Sequence, residues 1–239
     1  MKQGILSEIV SLGAQALAIS LPQSAPHAFE RYYEQLEKTN RHINPTAITE
    51  KGDVARLHFL DSIALLKAAK FEGANFIDIG SGAGFPGVPL KITEPSLRLT
   101  LLESTGKRVK FLSELCSLLG IDAHCVHARA EEAAHMPDMR ERYDIAAARA
   151  VANLNMLCEL CLPFVRPGGM FIAMKGAEYE SELMCSRLAA SCLGAEFHGC
   201  VKYTIPGTPV VRHAILFRKT SPSPVEYPRR FARIKRSPL

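Results

Sequence analysis

Two acids flank a glycine-rich turn in this chain. Residues 75–87 read N-F-I-D-I-G-S-G-A-G-F-P-G, so Asp78 precedes glycines at positions 80, 82, 84 and 87. The run L-T-L-L-E that ends at Glu103 follows. Glycine lets a chain turn sharply and lets its backbone approach a ligand closely. A strand that runs into such a turn is how open α/β sheets hold nucleotides, and an acid at the end of the next strand can accept hydrogen bonds from a ribose diol. Asp78, Gly80, Gly82, Gly84 and Glu103 therefore predict a ligand that carries a ribose with free hydroxyls.

NAD and S-adenosylmethionine both satisfy that condition. Gly82-x-Gly84-x-x-Gly87 matches the dinucleotide fingerprint in its letters, which alone is a weak signal. Asp78 would repel a pyrophosphate, whereas the ammonium and sulfonium of S-adenosylmethionine are favoured by a nearby carboxylate. Pro86 and Pro89 also interrupt the long helix whose N-terminus would hold a pyrophosphate. The plain alternative is that Asp78 caps a turn.

Other candidates sit where further strands should end. Glu131, after Ala130, could take the adenine amino group or simply open a short helix. Arg149 lies inside A-A-A-R-A-V-A and needs a partner once partly buried. A structural carboxylate, the cofactor carboxylate and an RNA phosphate all remain open as that partner. Lys175-Gly176 ends a fifth strand-like run. His58, Asp61 and Ser62 fall at i, i+3 and i+4 on a helix, a small polar face for which the spacing alone favours solvent.

Those positions need elements to hold them. Strands are expected at 75–79, 98–102, 122–126, 143–148 and 170–174, with helical patterns between them. The clearest helix is 105–119, with Val109, Leu112, Leu115 and Leu119 inward and Lys107, Lys110 and Glu114 outward. This alternation predicts a parallel sheet covered by helices on both faces. Residues 195–205 and 211–218 form two more strand-like runs joined through Pro206-Gly207-Thr208-Pro209, a link that allows only antiparallel pairing. Upstream, residues 1–70 read as a helical subdomain. Ile5, Ile9, Leu12 and Ala16 share one helical face, and Phe29, Tyr32, Tyr33 and Leu36 share another. Asn44-Pro45-Thr46 breaks the pattern before a helix over 53–69. The sheet domain is expected over 71–220, and the Pro- and Arg-rich 221–239 is expected to lie extended as a basic tail.

Charge is segregated along the chain. From Lys202 onward there are nine Lys and Arg against one acid, Glu226, while the rest carries twenty bases and twenty-three acids. A basic end on a near-neutral body points to a polyanionic partner such as nucleic acid, or to a solubilising tail. No apolar stretch is long and clean enough to span a bilayer. Seven cysteines in apolar, regular segments suit reduced thiols in a cytoplasmic protein. Cys158 and Cys161 make a single C-x-x-C without a second pair, so no metal site is assigned.

Taken together, these motifs resemble the RsmG/GidB family of bacterial small-subunit rRNA guanine-N7 methyltransferases. The resemblance is carried by D-I-G-S-G-A-G-F-P-G-V-P-L at 78–90, L-L-E-S-T-G-K-R-V-K-F-L at 101–112, A-R-A-E-E at 128–132, R-A-V-A at 149–152, M-K-G at 174–176, H-F-L-D-S at 58–62 and Y-P-R-R at 227–230. The chain departs from the family pattern at Pro45, Ala148, Ala232 and Ile234. The resemblance implies a class I, Rossmann-like S-adenosylmethionine-dependent fold. Its sheet would be mostly parallel and seven-stranded, end in an antiparallel hairpin, and carry an N-terminal helical extension. It implies cofactor contacts at Gly80, Phe85, Ala130, Glu131 and Arg149, and pocket lining by His58 and Asp61. It implies 16S rRNA, within the small ribosomal subunit, as partner and no membrane. Phosphates would fall to Lys107, Arg108, Lys110, Lys175, Arg229, Arg230 and Arg233. Guanine N7 has no proton to lose, so no catalytic acid–base pair is expected. An NAD-dependent oxidoreductase and an RNA-binding module with an idle cofactor fold are the competing readings.

Overall fold

A computed structural model of the chain describes residues 4–43, 48–149 and 152–239. The Asn44-Pro45-Thr46 break lies outside them. The alternating pattern builds one sheet from β1 (Asn75–Ile79), β2 (Arg98–Glu103), β3 (Ala123–His127), β4 (Tyr143–Arg149), β5 (Val165–Lys175), β6 (Ala195–Thr204) and β7 (Val211–Lys219). Its order is β3-β2-β1-β4-β5-β7-β6. The first five strands pair in parallel, and β7 inserts antiparallel between β5 and β6. The link between β6 and β7 is too short for a crossover, which fixes their antiparallel sense. β5 begins earlier than the expected 170, at Val165. A register shift between Tyr143 and Ile145 absorbs the Arg166-Pro167-Gly168-Gly169 stretch.

Strand side chains alternate between two cores. Phe76, Leu99, Leu101, Ile145, Ala147 and Leu216 face one core. It is completed by α1 (Ile5–Ala16), α2 (Ala25–Ile43), α5 (Gly87–Thr93) and α6 (Gly106–Leu119). Ile77, Ile79, Leu102, Ala146, Ala148 and Phe217 face the other, under α7 (Ala130–Ala133), α8 (Leu154–Cys161) and α9 (Glu180–Cys192). Phe29, Tyr32, Tyr33 and Leu36 are buried as their spacing requires. The helices upstream of the sheet thus share a continuous core with it.

Three expectations about these elements need correction. In α1 the helix forms, but Ile5 and Leu12 are 72% and 60% exposed, while Leu6, Val10 and Ala14 are buried. The segment is apolar on both sides, so periodicity alone does not choose the face. The helix expected over 53–69 starts earlier and is not uniform. It runs through α3 (Lys51–Val54), a π-helical stretch Ala55–Leu60, α4 (Asp61–Ile63) and a 3₁₀ turn Ala64–Lys67. Finally, the chain after residue 220 is not extended. It folds back over the second core and forms α10 (Phe231–Arg236), with Ile234 fully buried. Among the described residues no helix is long and apolar enough to cross a membrane.

Candidate active site

β2 and β4 leave β1 on opposite sides, so a crevice opens beyond the C-terminal ends of β1 and β4. The glycine turn fills its floor and is fastened from several directions. The amides of Gly80 and Ser81 donate to the Leu102 carbonyl at 2.9 and 3.1 Å. The Tyr32 hydroxyl, from α2, donates to the Ala83 carbonyl at 2.5 Å. Gly84 has φ +101°, and a Cβ there would lie 2.7 Å from Tyr32 Oη. The turn ends in α5, a helix of seven residues that starts after Pro86, carries Pro89 in its first turn and stops at Glu94, before Pro95.

Both flanking acids hold this turn. Asp78 is fully buried, and its Oδ2 accepts from the Gly87 amide at 2.8 Å. A Cβ on Gly87 would sit 2.9 Å from that oxygen, so only glycine permits the approach. Among the described residues Asp78 Oδ1 has no hydrogen-bond partner. Burial pushes the Asp78 carboxyl up to about 7, against the pull of Arg149. Turn capping and charge presentation therefore coexist in this one side chain. Glu103 accepts from the Gly82 amide at 3.0 Å through Oε2 and from the Thr105 amide at 2.8 Å through Oε1. Arg108 stands 3.8 Å from the same carboxylate.

Two cavities flank the turn. The smaller, about 170 Å³, lies on the α8 side of the sheet. Gly80, Ile79, Leu102 and Leu157 line it with apolar surface, and Ser104, Ala130, Glu131 and Phe231 of α10 line it as well. The larger, about 310 Å³, lies on the side of the N-terminal helices and is lined by His58, Asp61, Arg149, Met174, Lys175 and Arg212 among others.

In the larger cavity Arg149 has found a structural carboxylate. Its guanidinium lies 3.5 Å from Asp61 Oδ2, donates to the Leu57 carbonyl at 3.3 Å, and contacts His58 Nδ1 at 3.2 Å. It also lies over the Phe85 ring at 4.8 Å. Asp61 additionally accepts from the Tyr203 hydroxyl at 3.0 Å and faces Arg212 at 3.6 Å. Burial raises the Asp61 carboxyl, and the two arginines and Tyr203 oppose that rise. Burial first, and the Arg149 charge second, push His58 down to about 3, so its ring is neutral at physiological pH. That ring stacks on Phe85 with centroids 4.5 Å apart, and Tyr32 stacks on Phe85 at 5.3 Å. His58, Asp61 and Ser62 are all buried, not solvated as their spacing alone suggested. His58 and the Leu57 carbonyl in the π-helical stretch, and Asp61 just after it, meet Arg149 of β4, while the Ser62 hydroxyl donates to the His58 carbonyl.

The basic candidates divide. Lys107 and Lys110 are exposed on α6, and Arg230 and Arg233 are exposed on the docked C-terminal segment. Two others point inward. Lys175 pairs with Glu182 at 2.8 Å and donates to the Ala152 carbonyl at 3.0 Å. Arg229 donates to Glu159 through its backbone amide, Nε and a terminal nitrogen at 2.6 to 2.9 Å. These contacts pair both cations with carboxylates inside the protein. Cys158 and Cys161 are buried on α8, where burial pushes both thiols up.

Sequence reasoning missed Tyr32 as an anchor of the turn, Tyr203 and Arg212 as partners of Asp61, and Phe231 as a pocket wall. Arg212 carried a faint signal. It has the same alternation parity as the apolar Ala214 and Leu216 and should face their side of the sheet.

The chemistry of the donor set fits S-adenosylmethionine. A cavity lined by Gly80, Leu102 and Ser104 lies beside the turn and next to Glu103 in the chain, and Asp78 at the end of β1 keeps a buried carboxylate oxygen that has no partner among the described residues. Comparison with known proteins agrees in fold and family. The family model described as "GidB: rRNA small subunit methyltransferase G" matches residues 26–206. A relative from Caldanaerobacter subterraneus subsp. tengcongensis, named "Ribosomal RNA small subunit methyltransferase G", is 43% identical and aligns over 100% of both chains. A methyltransferase structure from Pyrococcus furiosus superimposes with TM-score 0.56 at 12% identity, covering 80% of this chain and 98% of that one. The structure of P. horikoshii TYW2 in complex with MeSAdo gives 0.53 at 13% identity, covering 67% and 62%. The two structures share the fold.

Proposed function

The chain belongs to the rRNA small subunit methyltransferase G family, and from that membership and its site we propose that it methylates N7 of a guanosine in 16S rRNA. The methyl donor is S-adenosylmethionine. When bound, it supplies a methyl group on a positively charged sulfur, open to in-line attack by a lone pair such as that of guanine N7. Asp78, the amides and carbonyls of residues 80–85, Glu103, Ala130 and Glu131 would hold it. The observation that carries this reading is the half-paired Asp78 at the switch point, tied to the glycine turn whose Gly80 lines a largely apolar cavity.

Residues of the second cavity are arranged for positioning. N7 attack releases no proton at the nucleophile, so no general base is required. His58 is neutral, and Asp61 is committed to Arg149, Arg212 and Tyr203. The Arg149 guanidinium, backed by the buried Phe85 ring, and the His58 ring form part of a cavity wall against which a base can be oriented. The deep major groove of an RNA helix excludes side chains, so the target guanine must be unpaired or splayed out. Lys107, Lys110, Arg230 and Arg233 would hold flanking phosphates, with Arg108 shared between RNA and Glu103. Small subunits in the cytoplasm are the proposed substrate.

Transfer of a labelled methyl group to small subunits purified from a strain lacking this protein tests the proposal. Label in a single N7-methylguanosine of 16S rRNA is expected. Label in another base, or none, would overturn it.

A further inference from the structure

The segment after β7 is packed with more care than a charged tail requires. Lys219, fully buried, donates to Glu141, the Leu162 carbonyl and Ser223 Oγ at 2.6 to 3.1 Å. Arg140 donates to the carbonyls of Ser223, Pro224 and Tyr227 at 2.8 to 3.0 Å, capturing the chain as it passes. His135 Nε2 lies 2.8 Å from the Pro228 carbonyl. Arg229 then closes on Glu159, which is fully buried on α8 and held by three donors of that one residue. A buried carboxylate without such a partner is costly, so α8 and this segment depend on each other.

The consequence of these contacts lies two residues further on. Phe231 opens α10 and lines the same cavity as Gly80, Ile79, Ala130 and Leu157. Ile234 anchors the helix beneath it in the α8 core.

We propose that this C-terminal segment is a wall of the methyl-donor pocket, with Phe231 lying against the purine end of the donor. Arg229 and Glu159 act as positioning residues for that ring. The inference rests on the cofactor reading above and deepens it. A flat apolar ring against a purine contributes stacking and excludes water from the slot. Arg230 and Arg233, on the outer side of the same segment, stay available to RNA.

The test titrates S-adenosylhomocysteine calorimetrically into the full-length protein and into its Phe231→Ala and Phe231→Leu variants, with melting temperatures measured without ligand. Phe231→Ala should raise Kd about tenfold, and Phe231→Leu by clearly less, with little change in ligand-free melting. A second variant needs no comparison of affinities. The chain has no tryptophan, so Phe231→Trp places a single indole at the pocket. Its emission should change saturably on adding S-adenosylhomocysteine. Wild-type affinity in Phe231→Ala, or an indole blind to the ligand, would overturn the proposal. Failure of the unaltered protein to bind S-adenosylhomocysteine would sink the cofactor reading itself, and this proposal with it.

Discussion

Asp78→Asn should change how stability depends on pH, and by a calculable amount. The wild-type carboxyl is fully buried, with one oxygen on the Gly87 amide and the other unpartnered, and its pKa rises from the ordinary 3.8 to about 7. Because the folded value lies above the unfolded one, the neutral form stabilises the fold fully below pH 4. That contribution is lost as pH rises through 7. A shift of about three units at about 1.4 kcal/mol each gives about 4 kcal/mol between those limits. Asparagine has no such titration. It does leave a buried amide donor without a partner at a cost of about 1–3 kcal/mol, but that cost does not vary with pH. The measured quantity is therefore the difference in unfolding free energy between the two proteins, followed by urea titration from pH 4.5 to 8.5 without ligand. Asparagine should gain on aspartate by about 3–4 kcal/mol across that range. Binding of S-adenosylhomocysteine should move in the opposite sense. Its ammonium lowers the Asp78 pKa, so calorimetry near pH 7 in buffers of different ionisation enthalpy should report proton release from wild type and less from the variant. Parallel pH profiles for the two proteins would refute the reasoning.

The other predictions concern different contacts. Arg229→Ala leaves the buried Glu159 charge with only the backbone amide of residue 229 as donor, a change that costs about 3 kcal/mol unless the segment detaches. Either outcome is read by limited trypsin digestion, which should cut after Arg230 or Arg233 much faster than in wild type. Gly84→Ala combines a backbone at φ +101° with a contact to Tyr32 Oη and should lose about 2–4 kcal/mol in urea unfolding. Adding Tyr32→Phe should return part of that loss, so the pair is less than additive. Arg230→Ala and Arg233→Ala should each flatten the salt dependence of RNA binding by about 0.7–0.9 in log–log slope, with S-adenosylhomocysteine affinity unchanged.

The sheet was legible in the sequence because its strands are short apolar runs punctuated by glycine and proline, and the tight link before Val211 announced the antiparallel end. The glycine turn and its two acids were legible because residue type and spacing leave few uses for them. Burial partners were harder. Nothing local to Arg149 announces Asp61, which reaches it from a helix upstream of the sheet through a π-helical stretch that shifts the expected face. α1 was assigned the wrong side because Ile5, Ile9 and Leu12 compete with Leu6, Val10 and Ala14 on equal terms. Charge counting treated Arg229 and Arg230 alike. Only the fold distinguishes them, by placing a buried glutamate opposite one and solvent opposite the other.

Order of synthesis gives the docked C-terminal segment a further meaning. Chains fold from the N-terminal side as they are made, at roughly 5–20 residues per second. The first four strands, the glycine turn and Arg149 are made well before Phe231, whereas β7 ends only twelve residues ahead of it. Until that ring arrives, the slot beside Gly80 stands open on one side and Glu159 lacks its arginine. On the pocket proposed above, a chain whose C-terminal segment is not yet docked would hold the methyl donor weakly. Full affinity would appear only once Phe231 and Ile234 have docked, so completion of the pocket is coupled to the last step of packing against α8.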